Sequence, residues 1–249
     1  MDLGLRDRVY VVTGGTKGLG FATAQALVAD GARVVVSSRS QESVDDAVRR
    51  LGGAAAARGL AADNGDPATP DRLVQAAQEA WGRIDGALVS VGGPPGTSAL
   101  EASDEQWQTA FDAVFLGAVR MARALVPHLG AGAALGLVLS TSVKTPIGGI
   151  EISNGLRPGL AMWAKELADE LGPREIRVFS LMPGRILTDR TKSLTPDDSA
   201  RDRMAQSIPL RRMGDPEEFA RVAAFLLSPA ASYLTGLAVP VDGGALRSL

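Results

Sequence analysis

Thr13-Gly14-Gly15-Thr16-Lys17-Gly18-Leu19-Gly20 stands directly after a short apolar run and opens a segment of helical period. Glycines in this setting let the main chain turn sharply and approach a pyrophosphate, whose charge is then met by free amides at a helix N-terminus. A glycine turn with no ligand is the bland alternative, and the order of strand, loop and helix weighs against it. Gly14, Thr16, Lys17, Gly18, Leu19 and Gly20 are therefore the first candidates for holding a dinucleotide. The second apolar run ends Val36-Ser37-Ser38-Arg39-Ser40, where selection of NAD(H) calls for an acid on the ribose 2′-hydroxyl. No acid is there. Arg39 instead offers a planar cationic fork suited to a 2′-phosphate, and Lys17 adds a second charge, so NADP(H) is expected in preference to NAD(H). Asp63 is placed either to accept from an adenine amino group or to cap its own loop.

These residues need elements to position them. Apolar runs at Val9–Thr13, Arg33–Ser38, Gly59–Ala62, Gly86–Ser90, Ala134–Thr141, Arg177–Met182 and Ala238–Val241 predict seven strands. Segments of helical period near 18–30, 42–51, 69–81, 104–129, 154–171 and 216–228 alternate with them. That alternation predicts an α/β fold: one Rossmann-type doubly wound domain over 1–249, with a parallel sheet covered by helices on both faces. No repeat appears, and the small-residue stretch Gly52–Ala62 reads as a turn and strand rather than a linker. Thr188–Ile208, which includes Thr195, Pro196, Asp197 and Asp198, breaks the rhythm and is the expected substrate lid.

Composition narrows the partners. The 249 residues carry 26 basic and 28 acidic side chains without long runs of either sign, a net charge of −2 that gives no case for nucleic acid or an anionic membrane. A small molecule is the expected partner. With no cysteine and one histidine, disulfides and a metal site are not expected. The charged start of the chain followed by an apolar run of only four residues resembles neither a secretory signal nor a membrane span, so a cytoplasmic location is expected. His128 has no partner in sequence and reads as structural, and neither Tyr10 nor Tyr233 falls in a catalytic motif. No Gly-x-Ser-x-Gly elbow supports a hydrolase.

The glycine loop, Ile84-Asp85, Ser140-Thr141-Ser142, Ile176-Arg177-Val178, Pro183-Gly184, Thr188, Pro216-Glu217-Glu218 and Val241-Asp242-Gly243-Gly244 occur in an order that resembles the short-chain dehydrogenase/reductase family over almost the whole chain. The resemblance implies hydride transfer between a nicotinamide and a carbonyl or alcohol, with Pro183, Gly184 and Thr188 at the nicotinamide end and Gly92 in the loop beside it. It also implies a serine and a tyrosine on the substrate oxygen and a lysine lowering the tyrosine pKa. Only the serine, Ser142, is present. The tyrosine-x-x-x-lysine element falls on Ser153-Asn154-Gly155-Leu156-Arg157, the family's helix asparagine on Val114, and its asparagine-rich strand end on Val89-Ser90-Val91-Gly92. The runs Gly92-Gly93-Pro94-Pro95-Gly96 and Ser142-Val143-Lys144 resemble a divergent subgroup described as acyl-carrier-protein ketoreductase-like.

By this resemblance Ser142 donates to the substrate oxygen. Ser153 holds the oxygen or relays a proton, and Arg157, one turn on, replaces the lysine as a fixed charge. Arginine does not titrate near neutrality, and a serine hydroxyl is far less acidic than a phenol. Lys144 is then the nearest candidate proton donor, its alternative being a solvated loop lysine. The leading expectation is an NADPH-dependent carbonyl reductase with a rewired relay. A nucleotide-binding sensor or scaffold without turnover, and a lyase or isomerase reusing the pocket, are the alternatives. A homo-oligomer, tetramer or dimer, is expected by the same resemblance.

Overall fold

The structure, a computed structural model, describes residues 2–94, 96–194 and 197–248, the side chains of Arg190 and Leu194 excepted. Pro95 of the glycine–proline loop and Thr195 and Pro196 of the expected lid lie outside the described residues. Seven strands form one sheet in the order β3-β2-β1-β4-β5-β6-β7, every neighbouring pair parallel. They are β1 (Val9–Thr13), β2 (Arg33–Ser38), β3 (Ala57–Ala61), β4 (Ile84–Val89), β5 (Leu129–Val138), β6 (Arg177–Pro183) and β7 (Leu237–Val241). The order reverses between β1 and β4, and at such a switch the connections leave in opposite directions and open a crevice beyond the strands' carboxyl ends.

Alternate residues of each central strand feed two separate cores, which is why those strands read as continuous apolar runs. Tyr10 and Val12 pack on one face with α1 (Gly18–Ala29), α2 (Gln41–Arg50) and α9 (Pro216–Leu227). Val9 and Val11 pack on the other with α3 (Thr69–Trp81), α5 (Gly117–Leu125) and α6 (Glu151–Leu171). Both cores are built largely of alanine, valine and leucine, so helices approach the sheet closely. Gly59 of β3, for instance, has room for no side chain, because a Cβ would stand 2.3 Å from Val44 Cγ1 of α2.

Element boundaries differ from the sequence expectation in instructive places. The single helix expected over 104–129 is three pieces: α4 (Asp104–Ala110), a π-helical segment Phe111–Leu116, and α5. Gly117 lies so near Asn64 O that a Cβ would approach to 2.5 Å, which fixes the main chain where α5 starts. Pro127 then ends the helical run in a 3-10 turn, Val126–His128, and Leu129 already belongs to β5. The expected lid is not irregular: it carries α7 (Asp189–Leu194) and α8 (Asp198–Gln206), the latter capped by Asp197, whose side chain accepts from Ser199 N.

Buried charges sit at the amino ends of the strands, away from the crevice. The Asp85 carboxylate accepts from Val9 N at 2.8 Å, from Arg83 Nη2 at 2.6 Å and from Arg8 Nη1 at 3.2 Å, joining β1 to β4. Arg177 donates to the carbonyls of Leu226, Leu227 and Ser228, at the negative end of α9. Desolvation lowers the Arg177 pKa below its ordinary value and raises that of Tyr10, whose hydroxyl donates to Leu227 O.

At the other end of α9, Glu218 caps the helix and pairs with Arg212 through two 2.6 Å contacts. The Arg212 guanidinium and the Asp215 amide hold the Glu218 carboxyl down at about 2, from an ordinary 4.5. A depressed carboxyl stabilises the folded state above its unfolded pKa and loses that contribution as pH falls towards the folded one. Glu218→Gln is therefore expected to flatten the loss of melting temperature between about pH 4.5 and pH 2 while leaving the slope near pH 7 unchanged. The effect is small, since the pair is exposed.

Candidate active site

The glycine loop leaves β1 at the crevice. Each glycine's missing side chain is accounted for: a Cβ on Gly14 would stand 2.7 Å from Ser90 O, one on Gly15 2.7 Å from Val12 O, and one on Gly20 2.4 Å from Gly14 O. Gly14 and Gly18 also adopt left-handed φ values of 57° and 54°, which glycine reaches without strain. Lys17 is the N-cap of α1 and supplies no side-chain cap, so the first amides of that helix face the crevice unspent by a capping group. Thr13, at the end of β1, donates to Ser90 O and accepts from Ser90 N, both at 2.9 Å, and accepts from Asn64 Nδ2 at 3.2 Å. One hydroxyl thus ties together the ends of β1 and β4 and the loop after β3. Its placement as the last residue of a buried strand was the available signal, and motif reading passed over it.

Around this cradle the expected cofactor residues fall as follows. Arg39 and Lys17 are exposed, and neither side chain makes an ion pair or hydrogen bond among the described residues. Thr16 is buried and Leu19 half-buried. Asp63 is exposed, and its Oδ1 accepts from Gly65 N at 2.9 Å, a loop cap that leaves Oδ2 for another donor. Thr188, where α7 begins, reaches across to the glycine loop: its methyl would be 3.4 Å from a Cβ on Gly18. Gly184 packs on Asp242, and its amide donates to Val241 O, so the turn after β6 is held to β7. Gly92 is exposed in the loop after β4, and Gly96 of the same loop packs on Gly149, whose oxygen would stand 2.7 Å from a Cβ there.

The expected catalytic residues divide into a buried group and an exposed one. Ser142, Ser153 and Arg157 are buried at 4%, 5% and 5% exposure, whereas Lys144 projects from the turn after Ser142 into solvent. Ser142 lies in a 3-10 turn, Thr141–Val143, that packs on α6, and its Oγ has no partner. Arg157 Nε donates to Ser153 Oγ at 2.9 Å, Nη1 to Val138 O at 2.8 Å and Nη2 to Val91 O at 3.5 Å. The guanidinium therefore clamps α6 to the ends of β4 and β5. Val114 joins Val89, Leu137, Ala118, Leu160 and Arg157 around a void of about 10 Å³.

Two further residues shape the site without having been anticipated. Asn154 Nδ2 donates to Ile147 O and its Oδ1 accepts from Ile147 N, stapling the loop after Ser142 to α6. Trp107 of α4 lies on Gly155, where a Cβ would meet the indole at 2.6 Å. His128 is exposed at the amino end of β5, the opposite end from Ser142, and Tyr233 is exposed near β7. Among the described residues no cluster of three metal-ligating side chains occurs, and no helix is long and apolar enough to cross a membrane. A hollow of about 570 Å³ between α2 and β3 contains none of the candidate residues.

Comparison with known proteins places this geometry. Residues 14–245 match the family model described as Enoyl-(Acyl carrier protein) reductase. Human dehydrogenase/reductase SDR family member 4 is 37% identical over 245 residues, covering 96% of this chain and 88% of that protein. The L-sorbose reductase of Gluconobacter frateurii, solved with NADPH and L-sorbose, superposes with a TM-score of 0.93 at 33% identity, with 100% of both chains covered. A short-chain dehydrogenase/reductase of Brucella melitensis gives 0.94 at 28% identity, also over the whole of both chains. The chain thus belongs to the short-chain dehydrogenase/reductase family of oxidoreductases.

Proposed function

We propose that the protein is an NADP(H)-dependent reductase of a small carbonyl compound, a ketone or a β-ketoacyl-like substrate, with a proton relay different from the tyrosine and lysine of its relatives. The observation that carries this reading is the buried, unpartnered hydroxyl of Ser142, held by its 3-10 turn on α6. A donor left unspent in a buried position costs about 1–3 kcal/mol unless something docks on it. The residues present fit the nucleotide. Gly14, Gly18 and Gly20 leave the cradle free of side chains, the first amides of α1 meet a pyrophosphate, and Thr188 closes the cradle from the far side. Lys17 and Arg39, both exposed and with side chains that have no protein partner among the described residues, suit a ribose 2′-phosphate. Asp63 Oδ2 takes the adenine amino group, and Gly92, Pro183 and Gly184 border the nicotinamide end. NADPH in the sorbose reductase complex supports the same choice of cofactor.

When bound, the nicotinamide supplies the hydride. The chain's part is to orient the carbonyl and stabilise the negative charge that develops on its oxygen, which falls to the hydroxyls of Ser142 and Ser153. Lys144, exposed at the mouth, supplies a proton from the solvent side. The whole chain acts as one cytoplasmic domain, with α7 and α8 as its lid, in a homo-oligomer.

Titrating the purified protein with NADPH and NADH by nucleotide fluorescence tests the cofactor. Arg39→Ala is expected to weaken NADPH binding roughly ten- to a hundredfold, from the loss of about 1.5–3 kcal/mol of charge-assisted hydrogen bonding, and to leave NADH unchanged. An equal effect on both nucleotides would remove Arg39 from the 2′-phosphate. Oxidation of NADPH is then followed against ketoses, quinones and β-ketoacyl thioesters. The apolar lining at Val114 favours a second reading, a sensor that binds NADP(H) without turnover; tight binding with no oxidation across that panel selects it.

A further inference from the structure

The contact between Arg157 and Ser153 has a direction. Arginine has donors only, so Ser153 Oγ is the acceptor of the 2.9 Å bond from Nε. Its own O–H must therefore donate elsewhere, and no acceptor for it stands among the described residues. Ser153 stands in the first turn of α6, where the helix itself offers no carbonyl four residues earlier to take its proton. A hydroxyl that accepts from a cation is polarised into a stronger donor, because hydrogen bonds in a chain reinforce one another at low dielectric. Arg157 is in turn held by Val138 O and Val91 O, so neither its position nor that of Ser153 is left to rotamer sampling. The turn bearing Ser142, with its unpartnered hydroxyl, packs on the same helix.

We infer that Ser153 and Arg157 form a charge-backed donor pair that holds the substrate oxygen as it becomes negative, Ser142 providing the second donor. Arg157 is a positioning residue: it acts through Ser153 and does not touch substrate or nucleotide. This assignment rests on the reading of the crevice as an NADP(H) and carbonyl site and adds what the site selects, an oxygen bearing negative charge. It also assigns Arg157 a task unlike that of the family's lysine.

The test uses an ionisable chromophore in place of substrate. The protein is saturated with NADP⁺, saturation being verified by displacement of fluorescent NADPH, and 4-nitrophenol is titrated with pH while the absorbance of its anion is read. In the wild type the bound phenol is expected to ionise about one pH unit below its value in Ser153→Ala, a tenfold preference for the anion. Arg157→Gln should lose the same shift, and the double variant should lose no more, because the charge reaches the ligand through one hydroxyl. Ser153→Thr, which keeps the hydroxyl, should retain it. Were Arg157→Gln to fail to fold, Ser153→Ala decides alone. An equal phenol pKa in wild type and Ser153→Ala overturns the assignment, as does failure of 4-nitrophenol to bind a protein that binds NADP⁺ normally. Failure to bind the nucleotide at all would instead sink the cofactor reading on which it rests.

Discussion

Gly20→Ala is expected to abolish useful nucleotide binding, raising the NADPH dissociation constant about a hundredfold or more. The added methyl would stand 2.4 Å from Gly14 O and 2.9 Å from Gly14 C, both main-chain atoms with no flexible end to swing aside. Relief requires the loop to move by much of an ångström away from α1, and losing one or two charge-assisted hydrogen bonds to the pyrophosphate, at about 1.5–3 kcal/mol each, costs on the order of 10²-fold in affinity. Gly14 cannot yield easily, since its own Cβ position faces Ser90 O and its φ is 57°. The same substitution strains the fold by roughly 1–3 kcal/mol, as overpacking does elsewhere. Fluorescence titration alongside urea denaturation separates the two effects. A variant that binds NADPH within a fewfold of wild type would show that the loop adapts and that the cradle is not what holds the pyrophosphate.

Arg177→Met is expected to be the most destabilising single change away from the site. Arg177 donates to three carbonyls at the C-terminus of α9, at 2.6, 3.4 and 2.9 Å, from a position only 5% exposed. Methionine fills much of the volume but strands the Leu226 carbonyl, whereas Leu227 O keeps Tyr10 Oη and Ser228 O keeps Ala231 N. A buried group so stranded costs about 1–3 kcal/mol, and the lost interaction of a cation with the helix dipole adds to it. A total of about 3 kcal/mol corresponds to roughly 6–12 °C in melting temperature for a chain of this size. NADPH affinity should be unchanged in the variant at temperatures where it remains folded, because Arg177 lies at the opposite end of β6 from Pro183 and Gly184. A loss below about 1 kcal/mol would mean that water replaces the guanidinium at those carbonyls.

Much of this architecture is legible in the sequence because parallel strands buried on both faces leave unmistakable apolar runs. Val9–Thr13 and Arg33–Ser38 are read to the residue, and the glycine loop follows from its place between strand and helix. What is not legible depends on contacts between distant segments. The break of the expected 104–129 helix into α4, a π-helical segment and α5 is set where Gly117 meets Asn64, and no local pattern announces it. The expected lid looks irregular because α7 and α8 are short and polar, with little apolar period to read. In the site, Ser153 and Arg157 lie one helical turn apart, so their meeting is predictable. That Arg157 is engaged by Val138 O and Val91 O is not, since main-chain carbonyls carry no sequence signature.

The anchoring of Arg157 to two strand ends bears on how this active site can change over evolutionary time. Exchanging the pair for a tyrosine and a lysine takes two substitutions, Ser153→Tyr and Arg157→Lys. The guanidinium, however, spreads its donors over a planar fork, and a lysine concentrates them on one nitrogen at the end of a flexible stem. Lysine at 157 would leave one or both of Val138 O and Val91 O stranded, at about 1–3 kcal/mol each, before any catalytic gain from tyrosine could be realised. The Arg157→Lys step is therefore opposed by a loss of stability. A chain built around this serine–arginine pair is expected to accept change in what surrounds the pair more readily than exchange of Arg157 itself.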